Sequence, residues 1–223
     1  VSSVDYSIGQ LGGEVVFDGN LLRAHNLKGS FAGGMLVANG TVQWDQANLT
    51  NFLWNFHLDK VQLRIPQGFH TVSNADLIWR GNRSKQNLTG EIRVAEAEYN
   101  RNIDFFRDLG KLMPSSSLAD QKKRKLLDPL ALDLQIRFLN GMEIRTDTLR
   151  LMADGNLRLL GPAFHPSLLG RISASSGELS FLGNNYEITK GAVEFVNPLH
   201  IEPLFDLSAV TTVHGYRINL QLV

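Results

Sequence analysis

The chain has 223 residues, 43% of them hydrophobic, enough to bury a sizeable core as one large β domain or two small ones. Lys plus Arg and Asp plus Glu balance at 22 each, so no global field draws nucleic acid or an acidic partner. Cysteine is absent, which removes disulfides, thiolate zinc sites and thiol chemistry together.

The chain opens inside an alternation at Val4, Tyr6 and Ile8. Strand candidates follow at Val15 and Phe17, Met35 to Val42, Phe52 to Leu58, Val61 to Ile65, Ala75 to Trp79 and Leu88 to Val94. Around Asp59-Lys60 the apolar phase moves from even to odd positions, which predicts a bulge or tight turn that keeps the same face buried. From Arg101 the spacing changes: Ile103, Phe106, Leu109 and Leu112 recur at helical intervals before Pro114 and three serines break the pattern. Residues 101–128 are therefore expected to form a short helical or irregular insertion between a 1–100 segment and a 129–223 segment of one sheet. Within it, Lys122-Lys123-Arg124-Lys125 reads first as a solvated loop, with contact to anionic lipid head groups as the alternative.

Beyond the insertion period two is strict. Leu130, Leu132, Leu134, Ile136 and Phe138 alternate with Ala131, Asp133, Gln135 and Arg137, giving one apolar and one mostly polar row. Shorter runs continue through Met142 and Ile144, Leu149 to Ala153, Leu157 and Leu159, Ile172 and Ala174, Leu179 and Phe181, Tyr186 and Ile188, Val193 and Phe195, Phe205 to Ala209, and Tyr216 to Leu222. Asn140-Gly141, Asp154-Gly155, Ser176-Gly177, Gly183-Asn184-Asn185 and Lys190-Gly191 separate them and read as tight hairpin turns. Such spacing predicts an antiparallel meander with no room for parallel crossovers. The Gly-x-apolar-x-apolar form at Gly34, Gly90 and Gly170 suggests a sheet grown by adding similar strands.

No stretch approaches the roughly 20 apolar residues of a membrane helix, and no charged-then-apolar leader is present. With alternation also at the end (Ile218, Leu220, Leu222), the expectation is a piece of a longer protein, any membrane anchor lying outside it. Chemistry is sparse. The six histidines have no metal-ligand spacing, Gly12-Gly13 and Gly33-Gly34 lack the rest of a phosphate loop, and no nucleophile elbow occurs. Asp133, Glu143, Asp147 and Asp154 are weighed as a carboxylate pair, but their positions fit an outward polar face better. The expectation is a protein that is not an enzyme and needs no cofactor.

Residues 142–222 carry a resemblance. Leu149-Arg-Leu-Met-Ala-Asp-Gly-Asn-Leu-Arg-Leu-Leu-Gly161 is followed by Leu169-Gly-Arg-Ile172 and by Ser176-Gly-Glu-Leu-Ser-Phe181. Tyr186, Gly191-Ala-Val-Glu-Phe195, Asn197-Pro198, Asp206 and Ala209 continue the series. This order resembles the C-terminal region of the TamB family, among the AsmA-like proteins of the bacterial envelope. Gly33 to Gly40 and Leu88 to Val94 fit it as well, whereas 104–128 fits poorly. The resemblance implies an all-β fold: a long curled antiparallel sheet, taco-like, forming an open hydrophobic groove. It also implies a periplasmic location, an inner-membrane anchor, an outer-membrane Omp85-type barrel partner, and carriage of phospholipid or another acyl-chain ligand between the membranes.

The groove lining is expected at Leu132, Leu134, Ile136, Phe138, Ile144, Leu151, Leu159, Ile172, Phe181, Ile188, Phe195 and Leu207, unless these side chains simply fill a core. The alternative role is a scaffold that pairs strands with its partner through Ile218, Leu220 and Leu222. A sugar-binding or enzymatic β repeat would need clustered aromatics, while Trp44, Trp54 and Trp79 fit strand interiors. An outer-membrane barrel would need segments of ~10 residues, longer than most runs here.

Overall fold

The computed structural model describes residues 7–46, 48–63, 69–99, 129–145, 148–199 and 201–222. The insertion predicted at 101–128, with its basic run, lies outside the described residues. Twelve strands form one sheet in sequence order: β1 (Ile8–Asp18), β2 (Leu21–Phe31), β3 (Gly34–Asp45), β4 (Asn48–Leu63), β5 (Phe69–Gly81), β6 (Gln86–Tyr99), β7 (Leu130–Arg145), β8 (Leu149–Pro162), β9 (Ser167–Phe181), β10 (Asn184–Phe195), β11 (Pro203–Val213) and β12 (Tyr216–Leu222). Among the described residues there is no helix.

Every neighbouring pair is antiparallel except β6 and β7, which run parallel from Gln86↔Leu130 to Val94↔Phe138. This corrects the expectation of a meander without parallel crossovers. Hairpin turns are too short to reverse the chain twice, but some thirty residues separate Tyr99 from Leu130, the length a parallel connection needs.

The strands also run longer than their sequence signals. Of the five glycine-containing pairs read as turns, only the one at Gly183 is a hairpin. Asn140-Gly141, Asp154-Gly155, Ser176-Gly177 and Lys190-Gly191 all lie inside strands. Register shifts fall beside them, between Phe138 and Met142, between Met152 and Ala153, and between Ile188 and Lys190. Glycine in a strand interior marks a bulge or a close approach, and its local signal is that of a turn. At Gly191, for instance, a Cβ would stand 2.8 Å from the Ala174 Cβ. With strands of up to 16 residues, the length argument against a membrane barrel also falls. Among the described residues, however, β1 and β12 pair with no closing strand.

The phase change at Asp59-Lys60 is a bulge as expected: the ladder shifts between Leu58 and Val61, and Lys60 has φ 53°. The Asn74 side-chain oxygen on β5 accepts from the Lys60 amide at 2.7 Å, satisfying the N–H that the bulge removes from the ladder. Asn26 (φ 51°) in β2 is closed the same way, its amide donating to Asn39 Oδ1 at 2.8 Å. Eight of the eleven ladders carry such shifts. Bulges add bend and twist, so a sheet carrying this many curves.

Candidate functional site: one apolar face and its open edges

Register keeps apolar residues in line across the sheet. One row runs Leu36, Leu58, Ala75, Ile92, Ile136, Leu157, Gly170, Phe195 and Pro203. The next runs Val61, Ser73, Val94, Phe138, Gly155, Ile172, Val193 and Phe205. Each bulge restores the phase, so the face never inverts along its length. Ser73, 1% exposed, is the one polar member of these two rows.

Eleven of the twelve predicted lining residues stand on this face by register. Their environments differ. Leu134 (6% exposed), Ile188 (5%) and Phe195 (4%) are buried, while Leu132, Ile136, Phe138, Leu151, Leu159, Ile172 and Leu207 are half-buried. The Ile144 side chain lies outside the described residues. Phe181 does not line the interior: at 47% exposed it sits at the rim, beside the β9–β10 turn.

Burial comes from neighbours on the same face. Val94, Ala97 and Ala153 cluster with Ile136 and Phe138, and Leu157, Leu168 and Phe195 form an adjoining cluster that shares the same two residues. Among the described residues all twelve strands belong to this one sheet and no helix is present, so only the sheet's own curvature can cover this face. Toward β4 and β5 the lining turns aromatic. Phe52 meets Trp79 edge to face at 4.9 Å, and Trp54 stacks with Phe56 at 6.1 Å. Among the described residues the buried Trp79 Nε1 has no hydrogen-bond partner. Composition disclosed the tryptophans, but their convergence needed the Trp54↔Trp79 register.

The opposite face is an ion-pair lattice. The Arg158 guanidinium donates to both Asp133 oxygens at 2.8 and 2.9 Å, and Arg171 pairs with Glu194 at 2.6 Å. His57 Nδ1 lies 2.6 Å from Asp76, which also accepts from Arg93, while Glu91 bridges Arg93 and Arg137. Hydrogen bonds from His57 and then Arg93 hold the Asp76 carboxyl below its ordinary range, and Arg158 does the same for Asp133. The acids weighed as a carboxylate pair go instead to arginines: Asp133 to Arg158, and Glu143 to Arg145 and Arg150. Asp154 is exposed, and Asp147 lies outside the described residues.

In the terminal strand Leu220 pairs with Ala209 and Ile218 with Thr211, which puts both on the apolar side, while the Leu222 side chain lies outside the described residues. Among the described residues the outer backbone edge of β12, the edge expected to pair with a partner strand, has no neighbour.

The alignment that these elements share with known proteins is extensive: a family model described as the TamB C-terminal domain matches residues 23–222. The chain belongs to that family. No curated protein sequence matches it. As a TamB-family chain it is a component of the bacterial envelope, within a translocation and assembly module whose partners in general are Omp85-type proteins. The matched span covers β3 to β12 and all but two residues of β2, so the whole apolar face described above falls inside the TamB domain.

Proposed function

We propose that the apolar face is a trough for acyl chains, and that the protein moves phospholipid between inner and outer membranes as part of the envelope module. The carrying observation is an apolar row unbroken from β3 to β11, with no second sheet or helix among the described residues. A sheet face of this kind must be covered by curling, by a partner or by cargo. Twelve strands at about 4.8 Å spacing extend it by roughly 55 Å. Each acyl CH₂ laid on it gains about 0.8 kcal/mol, so holding a chain requires no specific polar group. The buried clusters form the floor of this trough, and its half-buried residues are the surface that cargo covers. The reading assigns no catalytic step and no cofactor, and it places the inner-membrane anchor in a segment outside this chain.

Native mass spectrometry of the purified chain tests it. Bound phospholipid is expected, reduced by a charge at Ile136. A chain free of lipid that also fails to take up added phospholipid would contradict it.

A second reading rests on the β12 edge, which has no neighbour among the described residues. A strand from an Omp85-type barrel or its client would add there by backbone pairing. Loss of partner capture on blocking this edge, with lipid content unchanged, would favour that role.

A further inference from the structure

Most described cations of the polar face are engaged by acids, as in the Arg158–Asp133 and Lys190–Asp206 pairs. The β5–β6 hairpin departs from this. Its turn, Asn82-Arg83-Ser84-Lys85, presents Arg83 and Lys85, both exposed and neither in an ion pair among the described residues. The turn is braced: Asn82 Oδ1 accepts from the Ser84 and Lys85 amides at 2.8 and 2.9 Å, and the Asn82 amide donates to the Lys85 carbonyl at 2.9 Å.

The surroundings offer these cations little competition. Residues 46–58 on the β4 side, 77–90 across the hairpin itself and 129–132 at the start of β7 contain neither Asp nor Glu. The flanking acids are Asp45 at the β3–β4 tip and Asp133, which Arg158 already engages, while Asp128 lies outside the described residues. Directly inside the hairpin the trough lining is aromatic. Trp79 stands two residues in from Gly81 at the end of β5, about 7 Å from the margin. It packs edge to face on Phe52 and pairs in register with Leu88. Its Nε1 hydrogen is closed off from water without an acceptor among the described residues, a state that costs free energy until an acceptor arrives.

We infer that the β5–β6 hairpin is a headgroup subsite of the trough: Arg83 and Lys85 hold the phosphate of an anionic phospholipid, the Trp79 N–H takes an ester carbonyl, and the acyl chains run on over Leu88. In such a lipid, phosphate, ester and chain follow one another in the order in which cations, indole donor and apolar row follow one another from the margin inward. Free phosphate or an acidic peptide would meet the cations and leave the indole unanswered. The inference rests on the trough reading, and adds a preference for charge that a bare apolar face cannot have.

The test is calorimetric titration with dihexanoyl phosphatidylglycerol and with dihexanoylglycerol, which carries the same chains without the phosphate. The wild type should bind the charged lipid more tightly. Arg83→Gln with Lys85→Gln should weaken the charged lipid roughly tenfold and leave the neutral one unchanged. Lys28→Gln, at an exposed β2 cation that also lacks an ion pair among the described residues, should alter neither. An ether-linked analogue of the charged lipid, which has no carbonyls, should bind the wild type about threefold more weakly than the ester, and Trp79→Phe should abolish that difference. Equal binding of the charged and neutral lipids, full affinity in the Arg83→Gln, Lys85→Gln variant, or an ester preference that is absent or survives Trp79→Phe would overturn the inference while the trough stands. Glycerol 3-phosphate binding as tightly as the charged lipid would also overturn it, identifying a site for free phosphate. Failure of both lipids to bind would overturn the trough reading and this inference with it.

Discussion

Replacing Ile136 with Asp puts a carboxylate at the middle of the longest apolar row, between Ile92 and Leu157. Two effects follow, and their sizes differ. The sheet loses the burial of a half-exposed isoleucine, about 2 kcal/mol. Ile136 is only half-buried among the described residues, so the carboxylate can hydrate and the sheet stays folded. An acyl chain lying across the row, however, must give up contact over about four methylenes, or roughly 3 kcal/mol, which is on the order of a hundredfold in affinity. The control is Gln135→Asp, one residue away on the opposite face. Titration with a fluorescent fatty-acyl phospholipid should show binding weakened on the order of a hundredfold for Ile136→Asp and unchanged for Gln135→Asp. Equal affinity in the two variants, with both folded, would refute the reasoning.

Asn74→Ala leaves the Lys60 bulge amide without its acceptor, and should lower stability by about 1 kcal/mol, or roughly 2–4 °C in melting temperature. Gly155→Val brings a side chain against the Ile172 backbone, 2.7 Å from its Cα, and should cost about 1–3 kcal/mol by the same assay. Because Asp76 titrates below its ordinary value of 3.8, its ion pairs add stability above that pH and lose it as pH falls through the lowered value. With the pair half-exposed the contribution stays under about 1 kcal/mol, and Asp76→Asn should flatten the acid limb of a stability curve by that much. In β12, prolines at Ile218 and Asn219 remove N–H groups of opposite direction. Only the one facing the free edge should abolish partner capture without lowering the melting temperature.

The apolar face was legible from residues because period two survives wherever a bulge resets it. The switch at Asp59-Lys60 announced its bulge, and the Leu130–Phe138 run identified its strand. Glycine pairs misled at Asp154-Gly155 and Lys190-Gly191, since local sequence cannot separate a turn from a bulge or close approach within a ladder. β2 escaped notice because the bulge at Asn26 breaks its alternation after Ala24. The parallel β6–β7 pair was invisible for another reason: pairing across thirty residues leaves no short-range trace. Alternation reports a face but not how far along it the rim lies, so nothing local showed that Phe181 stands beside the β9–β10 turn.

The central claim is that cargo lies on one face only. A photo-crosslinking residue placed in turn at Leu134, Gln135, Ile136, Arg137 and Phe138, in the chain incubated with phospholipid vesicles, addresses it directly. Lipid adducts at positions 134, 136 and 138 and none at 135 and 137 are the predicted result; adducts without that alternation, or confined to the polar positions, would contradict the account.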